Sequence, residues 1–182
     1  VMAALQKSGV ADRTIVIFTS DHGYHLGEHD FWAKVSLRDE SAGVPLIVSV
    51  PGRQPAVCHS LVELLDLYPT IAQLCGLQIP DRVQGEDVSR MLEDPTWSVR
   101  DAAFSVAPSR KGFLLREQQW AYIQYQEDAS GGVELFDTVQ DPQQFTNLAA
   151  DPDYAEVVAG FQEKLAAKLL LVRDNDLGLT AR

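Results

Sequence analysis

The sequence predicts an α/β fold: part of a mostly parallel sheet with helices up to about residue 100, then a small antiparallel sheet packed by a C-terminal helix. Three observations carry that expectation. Ile15-Val16-Ile17-Phe18 and Val44-Pro45-Leu46-Ile47-Val48 are continuously apolar, as strands covered on both faces are. Between residues 102 and 137, short apolar segments follow one another through brief links, the pattern of antiparallel strands. Near the C-terminus, Val158, Phe161, Leu165, Leu169 and Val172 recur at helical spacing and line one face.

The elements follow in order. Residues 2–7 have the character of the last turns of a helix stopped by Gly9, with no first turn ahead of them. A chain that begins inside a helix suggests a cleaved or truncated start. A strand over residues 14–19 leads into a polar segment, 20–44, which holds three of the four histidines. Segments this long without periodicity are usually functional or disordered. The second strand, up to Val50, ends at Pro51-Gly52, and residues 61–65 suit a short strand. Asp66 can then cap a helix over 67–75, with Pro69 tolerated in the first turn and Gly76 as its stop. Ser60-x-x-Glu63 offers an earlier capping box, disfavoured because it would put Pro69 inside the helix. A loop with a short helical piece at 88–93 ends this region. Beyond it come a strand over 102–106, a hairpin of 112–116 with 120–126 turning near Gln118-Gln119, and a strand at 134–137. Asp141-Pro142 and Asp151-Pro152 mark turns before a helix over 154–172. The domain boundary is placed at residue 100, giving 1–100 and 101–182.

Composition narrows the function. At 182 residues and 46% hydrophobic, the chain can bury a core. No apolar run is long enough to span a membrane. The net charge of −11 argues against nucleic acid, where affinity comes mostly from basic residues on phosphates. An anionic substrate would need a local cationic site built from a metal or a few Lys, Arg and His. Cys58 and Cys75 match no CxxC or zinc spacing and fit core thiols; a disulfide also fits, so the redox compartment stays open.

The chemistry concentrates in Thr19-Ser20-Asp21-His22-Gly23, where the first strand breaks into a turn. Such a strand end is where open α/β sheets bind ligands. Asp21 suits hard cations and His22 suits transition metals, or His22 could donate to an anion. The plainer alternative is a turn in which Asp21 bonds the backbone and His22 is solvated. Lys34 can hold a tetrahedral anion as a point charge, and Trp32 could wall a pocket. His25 and His29 are candidates for binding substrate or protonating a leaving oxygen. Each of these is equally compatible with ordinary surface or packing roles.

The strings Thr19-Ser20-Asp21-His22-Gly23-Tyr24-His25-Leu26-Gly27-Glu28-His29, Trp32-Ala33-Lys34, Val44-Pro45-Leu46-Ile47 and Pro51-Gly52 resemble the second half of a type I sulfatase, most closely the iduronate-2-sulfatase-like subgroup. The resemblance continues through Leu67-Tyr68-Pro69-Thr70-Ile71, Glu134-Leu135-Phe136-Asp137, Asp141-Pro142 and Asn147-Leu148. It implies an alkaline-phosphatase-like α/β fold with a C-terminal antiparallel subdomain, and hydrolysis of sulfate esters, of sugars above all, at a calcium site. By residue match, Asp21 and His22 are implied as metal ligands and Lys34 as the lysine on the sulfate group. His29 and Trp32 fall among the substrate-facing positions, and His25 is kept beside them as a substrate-binding candidate. Members are commonly periplasmic, secreted or lysosomal.

The resemblance also implies parts that lie elsewhere. The family's nucleophile is a formylglycine made from Cys or Ser in Cys/Ser-x-Pro-x-Arg, and a pair of aspartates completes the metal site. Both precede the Asp-His-Gly segment, and nothing ahead of Asp21 in this chain matches them. Neither cysteine fits the motif. Val106-Ala107-Pro108-Ser109-Arg110 matches everywhere except at the nucleophile and is read as coincidence. The expectation is therefore a sulfatase fragment, inactive alone, whose partners are its missing N-terminal half, a sulfated small molecule or glycan, and possible further copies of itself through exposed sheet. Two other readings compete. Phosphodiesterases and phosphonate monoester hydrolases of the same superfamily share the Asp-His-Gly block. A non-catalytic binding or remnant domain is the alternative from another class. A nucleotide-binding domain lacks support, since no Gly-rich phosphate loop follows the first strand.

Overall fold

The computed structural model describes residues 1–107 and 111–173. These form two compact units: Val1–Tyr24 with Gly43–Asp101, and His25–Ala42 with the chain from Ala102 onward. The decoy string at 106–110 lies partly outside the described residues.

The first unit opens with helix α1 (Met2–Lys7), closed by Gly9 in the left-handed conformation at φ +72°. Strand β1 (Val16–Thr19) pairs with β2 (Leu46–Ser49), Phe18 opposite Ile47. The pairing is antiparallel, where the sequence suggested parallel strands covered on both faces. A continuous apolar run signals burial but does not encode strand direction. Moreover, Phe18 and Ile47 are about 60% and 59% exposed in this chain, so this cross-strand pair is uncovered.

Residues 61–65 do not make a strand. A 3-10 turn, Leu64–Asp66, leads straight into α3 (Leu67–Leu74), which ends at Cys75 and a left-handed Gly76. Earlier in the chain, Asp39–Ala42 forms α2, a one-turn helix of the second unit. Asp66 does not cap α3 through its side chain. Its buried carboxylate accepts from the backbone N–H of Glu63 at 2.8 Å and of Glu86 at 2.9 Å, and takes both guanidinium nitrogens of Arg100, one at 2.7 Å. Gly85 lies against this knot. A Cβ there would sit 2.0 Å from the carbonyl oxygen of Leu65, and backbone cannot yield as a flexible side chain does. Gly85→Ala is expected to cost about 3 kcal/mol. An unchanged melting temperature in that variant would refute the assignment. The cysteines are free, Cys75 exposed and Cys58 half-buried, so neither is a core thiol.

The second unit is built on a four-stranded antiparallel sheet, β3 (Ala103–Ala107), β4 (Gly112–Arg116), β5 (Trp120–Tyr125) and β6 (Val133–Asp137), in sequential order. Alternation sorts its side chains onto two faces. Leu115, Tyr122 and Leu135 pack with Phe161, Leu165 and Leu169 of helix α4 (Ala155–Arg173). Leu114, Ala121, Ile123 and Phe136 face the other way, where Leu37 and Ala42 of the 25–42 segment cover them. Burying a side chain such as Leu37, 4% exposed, is worth about 2 kcal/mol. The polar segment carrying the candidate residues is thus partly a core element, which its composition concealed.

Candidate functional site

Asp21 and His22 lie in the turn after β1. The Ser20 hydroxyl donates to the His22 carbonyl at 2.8 Å, and one Asp21 oxygen accepts from the His22 N–H at 3.0 Å. His22 Nδ1 lies 2.7 Å from the Gly23 carbonyl. A carbonyl only accepts, so Nδ1 is the donor here, and the neutral ring then presents the lone pair of Nε2. That nitrogen stands 3.5 Å from Asp21 Oδ2. Two donors bound to one divalent ion at right angles, each about 2.4 Å away, would be ~3.4 Å apart. A backbone carbonyl holding the other ring nitrogen is also the usual support of a metal-ligating histidine. The Asp21 side chain is 84% exposed. The pair therefore fits part of a metal site. Among the described residues no group of three or more His, Cys, Asp or Glu is arranged to hold a metal, so the pair does not make a site by itself.

The second group belongs to the other unit. The loop from His25 to Lys34 folds back on itself through His25 N–H to the Ala33 carbonyl, 3.0 Å, and Gly27 N–H to the Phe31 carbonyl, 3.2 Å. Its tip needs left-handed backbone at Gly27 (φ +123°), His29 (+58°) and Asp30 (+54°). The last two are non-glycine residues held in a costly conformation, of the kind that clusters at functional sites. Glu28 accepts the Leu26 N–H at 2.6 Å; its own backbone N–H and that of Leu26 hold its carboxyl below the usual range.

Within this loop the sequence candidates part company. Lys34 is exposed, and its ammonium meets no carboxylate among the described residues. Trp32 is 69% exposed and lies over Gly27, where an added Cβ would come within 3.1 Å of the indole. His29 is mostly enclosed: Nε2 pairs with Glu40 Oε1 at 3.2 Å, and Phe145 covers the ring at 4.7 Å between centroids. His25 is fully buried, its ring edge-on to Phe31 and to His29, with neither nitrogen hydrogen-bonded to protein. Among the described residues His25 thus offers no surface to a ligand, unlike the exposed Lys34 and Trp32. The backbone hydrogen bond from His25 to the Ala33 carbonyl, 3.0 Å, turns the residue inward.

Sequence reasoning missed the supports of the loop, Arg38, Glu40, Ser41 and Gln144. Nothing local marks them, since their roles depend on contacts with the loop and with the sheet. It also passed over Ser49-Val50-Pro51-Gly52-Arg53, which fits Ser-x-Pro-x-Arg letter for letter. Here Ser49 ends β2 opposite Val16, Gly52 turns the chain at φ +81°, and Arg53 pairs with Glu93 at 2.7 Å. That is a strand end and a surface ion pair.

The family described as N-sulphoglucosamine sulphohydrolase, C-terminal, matches residues 27–170. The chain belongs to this family of sulfatase C-terminal domains. The match begins ahead of Ser49 and so places that serine among C-terminal sequence. Arylsulfatase K of Bos taurus is 33% identical over 178 residues, covering 91% of this chain and 32% of the relative. The solved structure of a 2-O GAG sulfatase superposes with a TM-score of 0.83 at 27% identity, over 100% of this chain and 41% of that one. A phosphonate monoester hydrolase from Silicibacter pomeroyi superposes equally well, with a TM-score of 0.84 at 28% identity over 99% and 39%. The chain spans about a third of the length of the arylsulfatase K relative. The antiparallel sheet with its C-terminal helix is thus the C-terminal architecture of sulfatases, and type I sulfatase kinship holds. No described helix is long and apolar enough to cross a membrane.

Proposed function

We propose that this sulfatase domain is the C-terminal part of a calcium-dependent enzyme that hydrolyses sulfate esters of sugars. The observation that carries the reading is Lys34: an exposed ammonium with no carboxylate partner among the described residues, in a chain of net charge −11, on a strained loop thirteen residues after Asp21. Such a point charge is suited to a sulfate oxygen. Asp21 and His22 would hold the calcium ion together with ligands from upstream sequence. The bound ion supplies positive charge against the sulfate oxygens. The nucleophile, a formylglycine, would come from sequence outside these 182 residues. Trp32, exposed beside Lys34 in sequence, would wall the sugar, and His29 would be a further substrate-facing residue.

Kinship with a GAG sulfatase supports a sulfated glycan as substrate. The finer assignment to the iduronate-2-sulfatase-like type rests on His22 following Asp21, while the relative cited above is an arylsulfatase K. The uncovered Phe18–Ile47 pair supports a covering partner, either the N-terminal part of the same protein or a second copy.

Phosphonate monoester hydrolysis is the second reading, favoured by the Silicibacter pomeroyi superposition. The test is turnover by the intact protein, with its upstream sequence, of p-nitrophenyl sulfate and p-nitrophenyl phenylphosphonate side by side. Faster sulfate turnover, lost on chelation and restored by calcium, is the expected result. The reverse order would install the phosphonate reading. Turnover of neither would leave a binding domain. The 182 residues alone are expected to turn over neither ester, and activity from them free of contaminating enzyme would sink the assignment of the nucleophile to upstream sequence.

A further inference from the structure

Residues 38–41 sit between the four-stranded sheet and the Lys34 loop, and each makes a directed contact. Arg38 donates to the Gln144 carbonyl and, at 3.1 Å, to Glu134, with its guanidinium 4.6 Å from the centre of the Phe136 ring. Asp39 accepts from Arg116 at 3.1 Å, and its backbone N–H, the first of α2, donates to Gln144 Oε1 at 3.1 Å. Glu40 holds His29. The Ser41 hydroxyl donates to the carbonyl of Lys34, which also accepts from the Ser36 N–H at 3.0 Å.

Two of these residues, Arg38 and Asp39, hold to the sheet and Gln144, and two, Glu40 and Ser41, hold to the loop. Gln144 is fully buried, has left-handed backbone at φ +58°, and reaches α2 from 105 residues away in sequence. A buried side chain at a costly φ persists only where its surroundings fix it. Ser41 is likewise buried, and its hydroxyl holds the backbone from which the lysine side chain springs. α2 is therefore a rigid piece pinned to the sheet on one side and to the loop on the other.

We propose that Ser41 and Gln144 are positioning residues for the Lys34 ammonium, through which the C-terminal sheet fixes the geometry of the anion site. This rests on the reading of Lys34 as the sulfate contact. The hydrogen bond to the Lys34 carbonyl fixes where the side chain starts, and Gln144 fixes the helix that carries Ser41. Small misplacements of a charge-stabilising group are expensive, since a shift near 1 Å can cost up to about a hundredfold in rate.

The test is a double-mutant cycle in the intact protein, with p-nitrophenyl sulfate as substrate and inorganic sulfate as inhibitor. Ser41→Ala removes only a hydroxyl and leaves a residue that fits a helix. Gln144→Met is the second variant, preserving length while removing the acceptor. Each is expected to lower kcat/KM and to weaken sulfate inhibition by about tenfold when Lys34 is present. In a Lys34→Ala background both losses should vanish, because nothing is left to position. A merely structural role would give the same loss in both backgrounds, and that result overturns the proposal, as does no loss in either. Should Lys34→Ala by itself leave kcat/KM and sulfate inhibition unchanged, the sulfate-contact reading fails and takes the proposal with it. A large effect of Lys34→Ala without coupling removes the positioning claim alone.

Discussion

Asp21→Ala in the intact protein is expected to lower kcat/KM for a sulfate ester by about three orders of magnitude and to abolish its response to calcium. A metal acting on a charged substrate contributes several kcal/mol, and each 1.4 kcal/mol is a factor of ten. Asp21 would contribute the charged donor of the pair; it is highly exposed and 3.5 Å from the imidazole nitrogen it would share an ion with. His22→Ala removes a neutral donor and is expected to cost less, about ten- to a hundredfold in calcium affinity. Calcium titration following the rise in melting temperature reads binding directly, because an ion that binds the folded state stabilises it. The order of effects separates the two roles. If Asp21→Ala binds calcium as tightly as the wild type, the turn after β1 is a capped turn and no metal ligand. Equal losses from both variants would mean that the carboxylate contributes no more than the imidazole.

Much of the second unit was legible from the chain. Four short apolar segments with brief links gave the antiparallel sheet, and Phe161, Leu165 and Leu169 at helical spacing gave the face that α4 buries. Both signals are local periodicities. The turn at Asp21–His22 was legible for the same reason, since an apolar run ended by a polar string with glycine marks a strand end. What failed was what local pattern does not encode. The apolar runs around Ile17 and Val48 carry no record of strand direction, and the strands pair antiparallel. Histidine in a polar string looks exposed, yet His25 is buried because the loop closes through the Ala33 carbonyl and packs the ring against Phe31. Gln144 has no sequence signal of any kind; only the fold brings its amide to the first N–H of α2.

Asp66, expected from the sequence to cap the following helix, instead spends its carboxylate on Arg100 and two backbone N–H groups, and the second large effect is expected from Arg100. Burial alone would raise the Asp66 carboxyl, but the Arg100 guanidinium and the backbone N–H groups of Glu63 and Glu86 outweigh it and hold the carboxyl below the ordinary 3.8. Arg100→Met deletes the partner and leaves a buried carboxylate uncompensated, at a cost of about 3–5 kcal/mol. The sign of the pH dependence follows from the direction of the shift. A carboxyl depressed on folding contributes stability that is fully present above its unfolded value and is lost as pH falls through its folded value. Without Arg100 the burial of Asp66 is less opposed, its carboxyl moves up, and the variant is relieved rather than destabilised when acid protonates it. The gap in melting temperature between the intact wild type and Arg100→Met should therefore be widest near neutral pH and narrow toward pH 3. A gap that stays constant with pH would mean the arginine acts by packing. Asp66→Asn combined with Arg100→Met should cost less than Arg100→Met alone, because the pair destabilises most when one charge is left buried without the other. The Glu63 carboxylate, 3.8 Å from Arg100 Nε and itself largely buried, favours the opposite order for Asp66→Asn alone. There the guanidinium retains a second anion, and the loss should be the smaller of the two single losses.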